Sequence, residues 1–250
     1  MKTITKKEAI SLLKSPFGSE ILKTVSSYVA PLFWSRREYK TLSIQGNGSI
    51  FFLRPNDISF AVTANHVYQK YITDKKSYTN IFCQIGDILF PLEERLIDIN
   101  EELDIATFRI TSDEIRKINK IELSMWPPSL PDIGKGVLFA GFPGHERFEL
   151  SSHEVSFGIY AALGTATTVS ERNITCQFKR KDWVEITEFA LPPKGYSLNG
   201  LSGAPLFTVI ERDGLWLWAL GGVIYEFSPN IEIIMASRAD NILADGSLKK

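Results

Sequence analysis

Apolar and polar positions along this chain follow two periods, a helical one at the start and a β one afterwards. Thr5-Lys6-Lys7-Glu8 is a capping-box pattern ahead of Ile10, Leu12 and Leu13. It predicts a short helix that breaks near Ser15-Pro16. Ile21, Leu22, Val25 and Val29 share one face of a second helix, from Glu20 to Val29, stopped by Pro31. From Tyr39 the period becomes two. Leu42-Ser43-Ile44 alternates, Asn47-Gly48 marks a hairpin, and Ile50 to Leu53 reads as a strand. Pro55-Asn56-Asp57 turns the chain into a strand over Phe60 to Thr63, which delivers His66. Further strands are predicted within 81–92 and over 105–110. Thr111 to Glu114 caps a short helix, and the prolines at 127, 128 and 131 read as a linker. A second set of strands follows over 136–141, 158–160, 173–178, 206–209, 215–227 and 231–235. Residues 242–250 read as a short polar tail.

Many short strands with turn signals between them predict barrels or a sandwich. The chain has 250 residues, 44% of them apolar, enough for one large domain or two small packed units. A net charge of −1 gives no general attraction to nucleic acid or membrane. No run of eighteen apolar residues is present, and the first residues lack the apolar core of a secretory signal. Cys83 and Cys176 are the two cysteines. One bridge between them would be the most the chain could form, so a reducing, cytoplasmic setting is expected.

Chemistry concentrates in three places. Asn199-Gly200-Leu201-Ser202-Gly203-Ala204-Pro205-Leu206-Phe207 sets a serine between glycines. Glycines there allow a tight turn and bring backbone N–H groups close to a ligand. Ser59-Phe60-Ala61-Val62-Thr63-Ala64-Asn65-His66-Val67 ends a β run on a histidine. Leu103-Asp104-Ile105-Ala106-Thr107-Phe108 places a carboxylate at the head of an apolar strand. Taken singly, a serine beside glycine is usually a turn residue, a histidine after a strand is usually structural, and an aspartate before a strand is usually a cap. The joint occurrence, in the order His66, Asp104, Ser202, is what carries weight. His145 and His153 read as surface residues. Two other chemistries lose ground. Gly200 to Ala204 nearly matches a G-x-S-x-G elbow, but that fold needs a histidine after the serine, and none follows His153. No H-E-x-x-H is present, and the three histidines and two cysteines lack zinc-ligand spacing.

These three motifs resemble the T-A-A-H, D-[IL]-A and G-x-S-G-G-P-L motifs of the trypsin/chymotrypsin-like serine peptidases. The resemblance spans roughly residues 42 to 227. It implies a mostly β protein of two antiparallel β-barrels with the active site between them. An N-terminal helical extension would occupy 1–38 and the peptidase domain 39–250. Within that domain, barrel one would cover about 39–110, the linker 111–135, and barrel two about 136–240. It implies a serine endopeptidase with His66, Asp104 and Ser202 as catalytic residues and Gly200 and Ser202 N–H groups as the oxyanion hole. Tyr225, Glu226 and Phe227 match the strand that pairs with substrate. Tyr196, six positions before the serine, matches the base of the pocket that holds the side chain preceding the cut. No metal or cofactor is implied. A protein or peptide is the expected partner, with no nucleic acid and no membrane. A regulatory protein acting through the N-terminal helices is a further option. The alternative reading is an inactive or partner-activated protease fold that binds a peptide or protein.

Two departures stand out. Leu201 replaces the acidic residue that, in zymogen-derived members, pairs with a newly cut N-terminal amine. Ala204 replaces a glycine, which is tolerable where φ is negative. Activation by N-terminal cleavage is therefore not expected, and packing or a partner must order the serine loop.

Overall fold

The computed structural model describes residues 6–38, 41–151, 154–179, 196–212 and 215–250. Helix α1 (Lys6–Leu13) is followed by α2 (Pro16–Ser26), whose first turn is capped by Ser15 and fixed by Pro16. Helix α2 buries Ile21 and Val25 against the second lobe and ends before Val29. Val29 and Ala30 instead begin strand β1 (Val29–Glu38), paired with Phe51 and Ile50 of β2 (Thr41–Leu53). The strand partner claims residues that helical periodicity assigned to α2. The β region therefore starts at Val29, ahead of the start at Tyr39 that the period-two pattern predicts; Tyr39 itself lies outside the described residues.

Asn47-Gly48 is not a hairpin turn. Strand β2 runs straight through it, and both residues pair with β1. The glycine serves close approach: a Cβ on Gly48 would lie 2.7 Å from Val67 Cγ1 and 3.3 Å from the Ser202 carbonyl oxygen.

The first lobe is one antiparallel sheet. It adds β3 (Phe60–Ala64), β4 (Ile81–Ile85), β5 (Ile88–Leu89), β6 (Leu96–Asn100) and β7 (Ile105–Arg109), in the order β5-β4-β1-β2-β3-β7-β6. The sheet curls but does not close among the described residues, so the expectation of two closed barrels is met in one lobe. One edge strand, β5, has two residues, too few for a closing ladder. Beside the other edge lies the C-terminal tail: the Leu248 N–H donates to Asp98 and the Asn100 amide donates to the Lys249 carbonyl. Far from being a free polar tail, it buries Leu248 and forms a bridge from Ile242 to Leu248. Helix α3 (Asn65–Ser77) covers this sheet, burying Val67, Tyr68 and Tyr71. The short α4 (Leu92–Arg95) and α5 (Ser112–Lys117) follow; Thr111 and Glu114 form the predicted capping box on α5.

The second lobe is a closed six-stranded barrel. It comprises β8 (Gly136–Gly141), β11 (Tyr160–Val169), β12 (Asn173–Gln177), β13 (Pro205–Arg212), β14 (Leu215–Ser228) and β15 (Ile233–Arg238). Strands β9 (Arg147–Ser151) and β10 (Glu154–Phe157) form a separate hairpin. One buried cluster joins the lobes, with Phe51, Leu53, Phe60 and Val62 from the first against Leu138, Phe142, Phe207 and Val223 from the second. The cysteines lie in different cores, Cys83 in the first sheet and Cys176 in the barrel, and both are free. Burial pushes both thiols up, that of Cys176 to about 12. Among the described residues no helix is long and apolar enough to cross a membrane.

Candidate active site

Strand β3 ends at Ala64, and α3 begins at once, which places His66 in the first turn of that helix. First-turn N–H groups have no partner within a helix. Ala64 at the N-cap has no side chain to offer one. Asp104 supplies it from the turn before β7. Its backbone carbonyl accepts from the Asn65 N–H at 3.0 Å, and its Oδ1 accepts from the His66 N–H at 2.7 Å. The other carboxylate oxygen, Oδ2, lies 2.6 Å from His66 Nδ1. A carboxylate beside Nδ1 keeps a proton on that nitrogen and leaves Nε2 as the acceptor.

The Asp104 turn is itself held. Its φ is +50°, an uncommon value for a residue with a side chain. The flanking Leu103 N–H donates to Asn100 Oδ1 at 3.0 Å. The Leu103 carbonyl accepts from Ser237 of the barrel, and the Asp104 N–H donates to the Glu101 carbonyl at 3.3 Å. Asp104 is largely covered while half of the His66 side chain is exposed, so the pair opens toward solvent through the imidazole.

Ser202 comes from the other lobe, on the loop before β13. Gly203 has φ +87°, and a Cβ there would lie 2.1 Å from both the Ser49 carbonyl oxygen and Thr63 Oγ1. The serine loop therefore lies flat against the end of β3, two to three residues ahead of His66. Gly200, at φ +100°, is also tight, a Cβ there lying 2.6 Å from Asn47 Nδ2 and 2.7 Å from the Phe142 carbonyl oxygen. Ala204 is buried and outside the positive-φ region, so its methyl is accommodated. Leu201 is buried where the resemblance calls for an acid, packed down on Gly141 and Ala204.

Within the loop, the N–H groups of Asn199, Leu201, Gly203 and Ala204 donate to Ser197 Oγ and to the Leu198, Ile224 and Leu201 carbonyls. Among the described residues, the N–H groups of Gly200 and Ser202 donate to nothing. Two backbone donors of this loop are thus left without a protein partner among the described residues.

The Ser202 hydroxyl donates to the Tyr225 carbonyl at 3.2 Å. Among the described residues no hydrogen bond joins it to His66. The imidazole is thus bonded to Asp104, and Ser202 is bonded elsewhere. Burial first, then the charges of Glu226 and Asp104, push the Tyr225 phenol up.

The other expected residues fall in two groups. Beyond Val223, β14 pairs with β15 alone, so the edge carrying Tyr225, Glu226 and Phe227 is open beside Ser202 among the described residues. Glu226 is exposed, and Phe227 packs edge-on against Phe178, ring centroids 6.5 Å apart. Tyr196 lies apart from Glu226. Its hydroxyl donates to Glu146, and its ring lies tilted against His145 and Tyr160, centroids at 5.6 and 5.9 Å. Burial, with the Glu146 carboxylate adding to it, pushes the Tyr196 phenol up. His145 is exposed as expected, and His153 lies outside the described residues.

Sequence reasoning missed Ser49, Asn47 and Glu146. Ser49 is fully buried, and buried serines in strands carry no motif. Asn47 was read as a turn residue; its side-chain amide instead donates to the Phe142 carbonyl at 3.0 Å. No family model matches the chain, and a search of curated proteins returns no match.

Proposed function

We propose that this protein is a serine endopeptidase. The observation that carries the reading is the pairing of an Asp104-held His66 with a facing serine loop that leaves the Gly200 and Ser202 N–H groups unpaired. In the proposed reaction, Ser202 Oγ turns from Tyr225 and attacks the scissile carbonyl carbon as His66 Nε2 takes its proton. Asp104 stabilises the imidazolium that forms. The oxyanion is met by the two free N–H groups, each worth about 3 kcal/mol in such sites. Collapse breaks the C–N bond, and the leaving amine takes the proton from Nε2. Water then attacks the acyl carbon as the same nitrogen takes its proton; the bond to Ser202 Oγ breaks, Oγ takes that proton back, and the acyl group leaves as a carboxylic acid. Substrate would lie along the open edge of β14 as an added strand. Two reduced cysteines buried in separate cores fit a reducing compartment.

A second reading has one observation in its favour. The Ser202 hydroxyl bonded to Tyr225 rather than His66 suits a protease fold that is inert, or inactive until a partner or substrate arrives. Fluorophosphonate labelling of purified protein separates the two. A covalent adduct mapped to Ser202, absent in Ser202→Ala, is expected. A folded protein that takes no label would overturn the peptidase reading in favour of the binder.

A further inference from the structure

The unpaired state of the Gly200 and Ser202 N–H groups needs a cause. In a trans peptide the C=O and N–H point in opposite directions, so whatever holds a carbonyl also aims the N–H of the next residue. The Asn199 carbonyl accepts from the Gly144 N–H at 2.7 Å, which turns the Gly200 N–H the other way. The Leu201 carbonyl accepts from the Ala204 N–H at 2.9 Å, which does the same for Ser202. Between and beside these two planes lie the Gly200 and Ser202 carbonyls. Both are held by one residue of the other lobe: Ser49 Oγ donates to the Gly200 carbonyl at 2.9 Å, and the Ser49 N–H donates to the Ser202 carbonyl at 2.9 Å.

Ser49 reaches the first plane too. Its Oγ accepts from the Phe142 N–H at 2.9 Å, at the start of the segment whose Gly144 N–H holds Asn199. A hydroxyl has one proton, and with Phe142 supplying its own, that proton goes to Gly200. The direction of the bond is therefore fixed. Ser49 is fully buried, and its carbonyl is tied by Thr63 Oγ1 at 2.6 Å. Asn47, two residues earlier on β2, bonds the Phe142 carbonyl and so braces the same segment.

We infer that Ser49 is a positioning residue that sets the peptide planes of the serine loop across the lobe boundary and keeps the Gly200 and Ser202 N–H groups available to a substrate oxyanion. The inference rests on the peptidase reading for what those N–H groups receive. The loop then needs no charge at position 201 and no newly cut N-terminus: Leu201 packs beneath it, and Ser49 orients it from the first lobe. Alanine at 49 keeps the main-chain bond to Ser202 but leaves the Gly200 carbonyl and the Phe142 N–H without the hydroxyl.

The test compares Ser49→Ala with Thr107→Val, which removes another fully buried hydroxyl bond, that of Thr107 Oγ1 to the Gly246 carbonyl at 2.6 Å. Amide hydrogen exchange is measured at Leu201 and Ala204, whose N–H groups are bonded inside the loop. Ser49→Ala should speed exchange there about tenfold, while Thr107→Val should not. On a cleaved peptide, Ser49→Ala should lower kcat about 100-fold with KM unchanged, the signature of lost alignment. Ser49→Cys, with a weaker donor, should fall between and serves if the alanine variant does not fold. Unchanged exchange at Leu201 and Ala204, or a rise in KM with kcat intact, would overturn the inference. If the native protein neither labels nor cleaves, the peptidase reading falls, and the exchange comparison still decides whether Ser49 sets the loop.

Discussion

Asp104 grips His66 twice, by the ring Nδ1 at 2.6 Å and by the main-chain N–H at 2.7 Å. One carboxylate therefore both caps α3 and sets the imidazole tautomer. The two jobs lock the helix start and the base into one geometry, because neither oxygen can leave without releasing the other's partner.

Asp104→Asn separates these jobs. An amide offers one acceptor oxygen, and its NH2 group cannot accept from either N–H of His66. The imidazole should adopt the opposite tautomer, leaving Nε2 protonated and unable to act as base. The expected loss in kcat at neutral pH is about four orders of magnitude, with KM little changed. Stability should drop by about 1 kcal/mol as the cap weakens. Steady-state kinetics and urea unfolding read the two effects. Catalysis at native rate in the folded variant would remove Asp104 from the mechanism.

Gly203 and Gly134 share a left-handed φ, +87° and +82°, in opposite surroundings. A methyl on Gly203 would strike the Ser49 carbonyl and Thr63, whereas nothing lies within 4 Å of one on Gly134. Gly134→Ala should cost about 1 kcal/mol, the price of φ alone. Gly203→Ala should cost more than about 4 kcal/mol, or prevent the lobes from docking. Equal losses in urea unfolding would show that the serine loop is not pressed against β3 as described.

Much of this arrangement was legible in the chain. Local motifs placed the histidine after β3, the aspartate before β7 and the serine between two positive-φ glycines, because each has a short-range backbone reason. Contacts between distant segments left no such trace. Asn47-Gly48 has turn chemistry, yet here the pair sits mid-strand, its glycine pressed on Val67 and its asparagine reaching Phe142. Helix α3 escaped notice because its first turn is capped by a residue 38 positions away from His66 rather than by its own N-cap. The open first sheet depends on a two-residue edge strand and a docked tail, neither of which hydrophobic periodicity encodes.

Glu114 gives a pH-dependent stability. Burial pushes its carboxyl up, but hydrogen bonds from Arg95, at 2.7 and 3.0 Å, and from Thr111 outweigh this and hold it at about 2. An unfolded glutamate titrates near about 4.3. The folded value is the lower one, so this contribution is full above the unfolded value and lost as pH falls through the folded one. Glu114→Gln should cost on the order of 1 kcal/mol at pH 7, the group being partly open to solvent. The gap between variant and native protein should hold down to about pH 5 and close toward pH 2. Urea unfolding across that range checks it. A gap that persists at pH 2 would mean that packing, not charge, sets the contribution.

On the peptidase reading, Tyr196 would bear on which residue is accepted before the cut. Its ring makes tilted contacts with His145 and Tyr160, and its hydroxyl is bonded to Glu146, so it cannot swing aside without breaking that half-buried bond. Phe178 and Phe227 pack edge-on nearby, and Tyr160 meets Phe178 at 6.4 Å between centroids. These rings contact one another in sequence, from His145 through Tyr196, Tyr160 and Phe178 to Phe227. The carboxylate there, Glu146, shares one oxygen with the Tyr196 hydroxyl, so an incoming ammonium or guanidinium would have to compete with that bond. Exposed Glu226 points to solvent and does not change this. The native protein should therefore select small apolar residues before the cut in a peptide library. Tyr196→Ala should open the space and shift selection toward Leu and Phe, with kcat/KM for them rising about tenfold or more, the scale of a few methylene groups in an apolar pocket. Tyr196→Phe keeps the ring but frees Glu146, and should admit Lys or Arg where the native protein rejects them. Strong native selection for Arg or Lys would overturn the filled pocket and make Glu146 or Glu226 the residue that receives the charge.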